Sequence, residues 1–373
     1  MKVLHVFKTY FPDTVGGVEQ VINQIAIGTV KLGVTTEVFA LSRTAKNRTI
    51  NVNGHLVHRC RSNFELASTP FSVSAFYRFR RLAKEADLVH YHFPYPFADV
   101  LHLSAGINKP SLVTYHSDIV KQKQLLKLYR PLQQRFLNSV DHIVATSPNY
   151  LQTSNVLSGF KSKTSVIPIG LDNSSYPKAS TARLNVWRER FGSRFFLFVG
   201  VIRYYKGLHI LLDAAQKSSY PIVIVGSGPI EVELKEKAAK LGLRNIHFLG
   251  RLSDEDKVAL LELCYAVIFP SHLRSEAFGI SLLEGAMYGK PLISSEIGTG
   301  TTYINIDKET GVVVPPSNPS ALRDAMDYLW NNPEEADAMG KRAEARYCKL
   351  FTAKQMAQSY VDTYKGLLDQ RIS

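Results

Sequence analysis

Short apolar runs alternate with longer amphipathic stretches along the whole chain. In the first half the runs are VLHVF (3–7), TEVFAL (36–41), LVHYH (88–92), SLVTYH (111–116), HIVATS (142–147) and SVIPIG (165–170). In the second they are FFLFVG (195–200), PIVIVG (221–226), IHFLG (246–250), AVIFP (266–270), PLISS (291–295) and GVVVP (311–315). Runs that are apolar throughout, not at every second position, predict strands covered on both faces and hence parallel sheets. Apolar residues at helical spacing predict helices over 18–32, 125–138, 320–330, 334–350 and 355–369. RTINVNGHLVHRC (48–60) predicts a hairpin turned at Asn53-Gly54. Between the two series Pro168, Gly170, Asn173, Ser174, Ser175, Pro177 and Ser180 predict a turn-rich linker. The expected architecture is α/β, with two Rossmann-like parallel-sheet domains facing across a cleft. Their expected extents are 1–172 and 195–350, with a linker over 173–194 and a helix over 351–373.

A chain of 373 residues is too long for one compact core, which agrees with two domains. Hydrophobic residues at 45% and charged residues at 21% are globular values and exclude a disordered protein. The longest clear apolar run, 195–202, is far short of a membrane span. MKVLHVFKTYF, interrupted by His5 and Lys8, reads as a buried first strand and not as a secretory signal. Cys60, Cys264 and Cys348 are dispersed and odd in number, which points to a reducing, cytoplasmic setting without disulfides or a zinc site. The net charge of +13 calls for a polyanionic partner, either nucleic acid or an anionic membrane. Two stretches without acidic residues favour the membrane. In 68–84, Arg78, Arg80, Arg81 and Lys84 are interleaved with Phe71, Phe76, Tyr77 and Phe79. In 119–138, Lys121, Lys123, Lys127, Arg130 and Arg135 are interleaved with Leu125, Leu126, Leu128, Leu132 and Phe136. Such patterns suit elements lying on anionic lipid, although ordinary solvated helices packed on a core share them.

Chemistry concentrates in PSHLRSEAFGISLLEGAMYGKP (270–291), which reads as loop and helix between two strands. The helix is expected to begin near Phe278, so the amides of Gly279 and Ile280 and the positive end of the dipole offer a phosphate site. Glu276 precedes that terminus and Glu284 follows two turns on, placed to hold the hydroxyls of a sugar and a ribose flanking a diphosphate. Two glutamates eight apart occur by chance, so the weight lies in their context. FVGVIRYYKGLHILLDA (198–214) puts Arg203 and Lys206 after a strand, two cations suited to a diphosphate and to the charge of a departing nucleotide. TVGGVEQ (14–20) places Gly16, Gly17 and Glu19 between a strand and a helix, either as a ligand-approaching turn or as a plain helix start. It lacks G-x-G-x-x-G, which argues against a nicotinamide site. YHSD (115–118) ends a strand with His116 and Asp118, and His92 heads HFPYPF (92–97), a loop placed to line an acceptor site. VGSGP (225–229) contributes Gly226 to a turn. Asp254 and Asp256 form a D-x-D, but Ser253 ahead of them reads as a helix cap, so no metal is expected.

Glu276 and Glu284 in an E-x7-E entered by FPS and continued as FGISLLEGAMYGKP resemble the donor-binding signature of the retaining GT-B glycosyltransferases of family 4. The resemblance implies a GT-B fold whose C-terminal helix crosses back to the N-terminal, acceptor-binding domain. It implies that Phe278, Gly279 and Ile280, inside that signature, meet the donor phosphates, that Gly16 and Gly17 face them, and that Arg251 and Leu252 hold the nucleobase; Gly226 joins them only as part of a turn able to approach the nucleotide. It also implies that His116 lies near the donor sugar; Glu19, His92 and Asp118 are acceptor candidates on their own placement in the sequence, with helix capping as the other reading of Asp118. Lys206-Gly207 match the family well, whereas Arg203 stands two residues beyond the usual place, which Val201 occupies. GVIRYYKGL and the basic N-terminal half look most like bacterial O-antigen and lipopolysaccharide mannosyltransferases. The expected partners are GDP-mannose as co-substrate, a polyprenyl-diphosphate-linked glycan and the inner membrane surface, with no cofactor and no nucleic acid. Competing expectations are a UDP-sugar donor, a sugar-nucleotide epimerase, a glycogen-synthase-like transferase and a basic nucleic-acid binder.

Overall fold

The computed structural model of the chain describes residues 1–44, 48–67, 69–119 and 123–371, excluding the side chains of Lys123 and Gln124. The chain divides into two compact units, 1–170 together with 353–373, and 171–352.

The first unit is built on an eight-stranded sheet. In chain order its strands are β1 (Lys2–Val6), β2 (Thr35–Ser42), β3 (Arg48–Val52) and β4 (His55–Arg61), then, after a small hairpin of β5 (Phe64–Leu66) and β6 (Thr69–Phe71), β7 (Leu88–Phe93), β8 (Ser111–Tyr115), β9 (His142–Ala145) and β10 (Thr164–Val166). The spatial order is β10-β9-β8-β7-β1-β2-β4-β3. Every pairing is parallel except β3 with β4, the expected hairpin, whose turn uses left-handed Asn53 (φ 49) and Gly54 (φ 88). The helix Ala353–Asp369 completes this unit by burying Met356, Ala357, Tyr360, Val361 and Tyr364. Tyr360 and Tyr364 reach the sheet, where their hydroxyls bond Thr114 Oγ1 and His90 Nδ1, each at 2.8 Å.

The basic stretches form the helices Val73–Glu85 and Lys123–Ser139; Lys121 lies outside the described residues. In the first, Phe79 and Leu82 pack inward while Val73, Phe76, Tyr77, Arg80, Arg81 and Lys84 are exposed. In the second, Phe136 and Leu137 are buried, while Leu125, Leu128, Lys127, Arg130 and Arg135 are exposed. Between them packs the helix Pro96–Ala105, so the expected HFPYPF loop is largely structured. Its Phe93, Tyr95 and Phe97 are buried in the core. Among the described residues no helix is long and apolar enough to cross a membrane.

The second unit carries an all-parallel sheet of β11 (Phe196–Val199), β12 (Ile222–Val225), β13 (Ile246–Gly250), β14 (Ala266–Phe269), β15 (Leu292–Ser295) and β16 (Gly311–Val314), in the order β13-β12-β11-β14-β15-β16. The expected linker over 173–194 needs correction. Half of it is the helix Thr181–Phe191, capped by Ser180 and belonging to this unit. Trp187 and Phe191 bury one face of that helix, and Trp187 Nε1 donates to Asp256 at 3.0 Å.

Candidate functional site

Ligands in open α/β sheets bind at the carboxyl ends of the strands, where the strand order reverses. In the second unit that reversal falls between β11 and β14. The loop leaving β11 brings Lys206, and the loop leaving β14 brings Glu276. Lys206 Nζ donates to Glu276 Oε2, and Ser271 Oγ donates to the same oxygen at 3.2 Å. Both members of the pair are 8% exposed, so a charge couple sits almost out of solvent at the point where topology opens a crevice. Arg203 caps the turn Tyr204–Lys206 and its side chain is exposed.

The helix after Glu276 runs Ile280–Met287, two residues later than the sequence suggests, because Gly279 (φ 102, ψ 66) breaks the run as its N-cap. Gly279, Ile280 and the following amides open the helix, whose first N–H groups have no intrahelical acceptors. Phe278 contributes only backbone there, since its ring is buried beside Phe351, with centroids 6.2 Å apart. Glu284 is buried one face along, and its Oε1 accepts from Tyr176 Oη (2.9 Å) and Lys257 Nζ (3.0 Å). Burial, the largest single influence, would lower the Lys257 pKa, but the charges and hydrogen bonds of Glu284 and Asp254 together outweigh it and raise the value. Burial and then Glu284 push the Tyr176 phenol up as well. Lys257 and Tyr176 escaped the sequence reading because they lie 27 and 108 residues from Glu284 with no local motif.

Gly226 donates its N–H to Gly250 O at 2.7 Å, and a Cβ there would stand 1.9 Å from Gly200 O, so only glycine lets these strand ends meet. Arg251 is exposed just past β13 and Leu252 is half-buried. Ser253 caps the helix Asp254–Leu263 as expected, accepting from Asp256 N at 3.1 Å. Asp256 is committed to Ser253, Trp187 and Arg183.

In the first unit Gly16 is the N-cap and Gly17 the first residue of the helix Gly17–Val30. The three acceptor candidates are all engaged by side chains of their own unit. Glu19 is buried, and its Oε1 accepts from Thr9 (2.8 Å) and Thr14 (2.9 Å), so it staples the preceding loop. Asp118 Oδ1 accepts from Tyr115 Oη (2.9 Å) and Ser154 Oγ (2.8 Å), which fixes the turn after β8. His92 is 1% exposed and cannot line an acceptor site; it lies against His116, which follows β8 and is itself buried.

Burial holds several histidines of this unit neutral. It pushes His5 and His116 down to about 3 and His55 and His102 to about 4, and lowers His90 and His92 as well. The unfolded chain therefore takes up protons first as pH falls below the ordinary histidine value. This contribution to stability is complete above pH 6.5 and is lost progressively towards pH 3. At pH 5 His5 and His116 should each cost roughly 2 kcal/mol relative to pH 7.5. Buried Asp99, whose pKa is raised, opposes this but is a single group set against the histidines named. Hydrogen exchange of β1 and β7 should accelerate at pH 5 after correction for intrinsic rates, and unchanged protection there would contradict the assignment.

The chain matches known sequences over both units. The profile described as Glycosyltransferase Family 4 matches residues 15–175, and that described as Glycosyl transferases group 1 matches residues 184–346. It is 63% identical over 353 residues to the D-rhamnosyltransferase WbpZ of Pseudomonas aeruginosa, covering 95% of this chain and 93% of that one. It is 52% identical over 371 residues to the O-antigen chain mannosyltransferase C of Escherichia coli, covering 100% of both. Among solved structures, Anabaena Alr3699/HepE in complex with UDP superposes with a TM-score of 0.81 at 20% identity, over 98% of this chain and 100% of that one. WaaG, a glycosyltransferase involved in lipopolysaccharide biosynthesis, superposes with a TM-score of 0.68 at 16% identity, over 98% and 100%.

Proposed function

Because the chain belongs to the family 4 glycosyltransferases and has their GT-B fold, we propose that it is a retaining hexosyltransferase of O-antigen assembly. In this reading it moves mannose in α linkage from GDP-mannose to a lipid-linked glycan. The observation that carries the reading is the Lys206–Glu276 couple beside the open amides of the helix Ile280–Met287, with Glu284 further along that helix. A diphosphate suits the cation and amides, Glu276 suits hexose hydroxyls, and Glu284, held by Lys257 and Tyr176, suits a ribose.

The reaction breaks the bond from the sugar C1 to the β-phosphate oxygen and forms one from C1 to the acceptor oxygen on the same face. The acceptor proton passes to the departing phosphate. Lys206, Arg203 and the amides around Gly279 would stabilise the charge that develops on that phosphate. In this reading fixed cations would take the place that a D-x-D metal fills in other transferases, and the engagement of Asp256 by Trp187 and Arg183 supports it.

A D-rhamnosyl donor is the second reading, favoured by the 63% identity to a D-rhamnosyltransferase. D-rhamnose is mannose without its 6-hydroxyl, so one manno-configured site serves both. Thermal shift separates the nucleotide readings. GDP at a hundred times its Kd should stabilise the protein by about 2.7 kcal/mol, with UDP at the same concentration inert. Stabilisation by UDP alone would reject the mannose donor while leaving the family intact. Transfer assays with GDP-mannose and its 6-deoxy counterpart then separate the sugars.

The reading places the protein at the inner membrane face. Exposed Val73, Phe76 and Tyr77 adjoin Arg80, Arg81 and Lys84, and Leu128 adjoins Lys127 and Arg130. These helices should co-sediment with anionic vesicles, less so at high salt, and hardly with zwitterionic ones. Equal binding to both vesicle types would remove this assignment.

A further inference from the structure

Three imidazoles form a chain with one closed end. His5 Nδ1 lies 3.0 Å from His92 Nε2, and His92 Nδ1 lies 3.0 Å from His116 Nε2. Both pairs are stacked with ring centroids 5.3 Å apart. His5 and His92 come from adjacent parallel strands, β1 and β7, and His116 follows β8. His5 Nε2 is buried with no hydrogen-bond partner among the described residues. His116 Nδ1, at the other end, is the nitrogen left over once Nε2 is bonded.

A neutral imidazole has one donor and one acceptor nitrogen, so two consecutive hydrogen bonds make all three tautomers agree. Either every ring is protonated on Nδ1 or every ring is protonated on Nε2. The second arrangement leaves the Nε2–H of His5 as a buried donor with nothing to bond, which carries the full desolvation penalty of that group. The first leaves a bare lone pair there, and orphaned acceptors are buried more readily than orphaned N–H groups. We propose that His5 and His92 are positioning residues that lock His116 in its Nδ1–H tautomer, so that it presents a hydrogen-bond donor to a substrate oxygen. The proposal rests on the reading of His116 as a substrate contact. A charged ring would donate at both nitrogens and break the chain, and burial keeps these rings neutral.

A metal ion is the rival use of this cluster, since His5, His90 and His92 offer ligand nitrogens within 4.8 Å of one another. But His90 already bonds Tyr364 Oη at 2.8 Å and Thr114 Oγ1 at 2.7 Å, and His5 and His92 bond each other. Both ring nitrogens of His90 and of His92 are thus engaged by side chains, which leaves His5 Nε2 as the one unbonded nitrogen of the three rings among the described residues.

The test is the ring-nitrogen spectrum of the full chain labelled with 15N-histidine, without substrate, assigned with single variants. The expected result is Nδ1 protonation of His5, His92 and His116. A protonated Nε2 on His116, or one equivalent of tightly bound zinc in the purified protein, overturns the proposal. His5→Asn keeps a donor near the Nδ1 position, whereas His5→Phe keeps a ring without nitrogen. His5→Asn should retain the His116 tautomer and kcat within about threefold, and His5→Phe should lose the tautomer and about tenfold in kcat with donor KM little changed. Equal tautomers in the two variants, or a kcat loss common to two equally destabilised variants, overturns it. A changed tautomer with unchanged kcat upholds the relay and instead removes His116 from the substrate.

Discussion

Lys206→Met should lower kcat by about 10²–10³, the scale seen when one donor to a developing oxyanion is removed. It should also destabilise the second unit by about 3–5 kcal/mol, because Glu276 is left buried without its partner. The two effects have different origins and can be separated. In Lys206→Met/Glu276→Gln the orphaned charge is gone, so urea unfolding should return most of the lost stability while turnover stays at or below that of the single variant. Recovery of both together would mean that the couple only holds the loops, and the catalytic assignment would fall. Full activity in Lys206→Met would end it directly.

Gly207→Ala should be nearly as damaging, although alanine adds one methyl group. Gly207 is left-handed (φ 72) and caps the helix Leu208–Ala215. A Cβ there would stand 2.0 Å from Pro270 O and 2.9 Å from Pro270 C, at the end of β14. The backbone conformation costs about 1–2 kcal/mol and the overlap about 1–3 more, with no flexible side chain to yield. Relief requires the two loops to part, which carries Lys206 away from Glu276 and should cost roughly a hundredfold in kcat. Gly242→Ala is the control: it is also left-handed (φ 65), but its Cβ meets nothing within 4 Å. It should lose about 1 kcal/mol and keep its activity. Equal losses in the two variants would mean that conformation, and not the approach of Pro270, sets the requirement for glycine.

Both predictions concern residues that the sequence singled out, because Lys206-Gly207 and the Glu276–Glu284 segment are contiguous motifs anchored to strands that apolar runs mark clearly. Legibility failed where the determining partner is remote. The helix Thr181–Phe191 hid in a turn-rich stretch because its anchor, Asp256, lies 69 residues from Trp187. Pro96 made HFPYPF look like a loop, yet proline is at home in the first turn of a helix. His92 sits at a strand's carboxyl end, where a reactive group is plausible, but its neighbour His5 is 87 residues away and closes that position from solvent. Glu19 and Asp118 were legible as polar groups near strand ends, and only the hydroxyls of Thr9, Thr14, Tyr115 and Ser154 show that they brace loops.

The helix Ala353–Asp369 has a consequence for biogenesis. Domains ordinarily fold in the order in which they leave the ribosome, at about 5–20 residues per second. Here the eight strands of the first sheet are translated first, but Thr114 and His90 wait for Tyr360 and Tyr364 until all of 171–352 has been translated. The later-made unit, continuous in sequence, can close while the earlier one still shows an uncovered aromatic and histidine-rich face. Completion thus runs opposite to translation, and the nascent first half is the natural client for a chaperone.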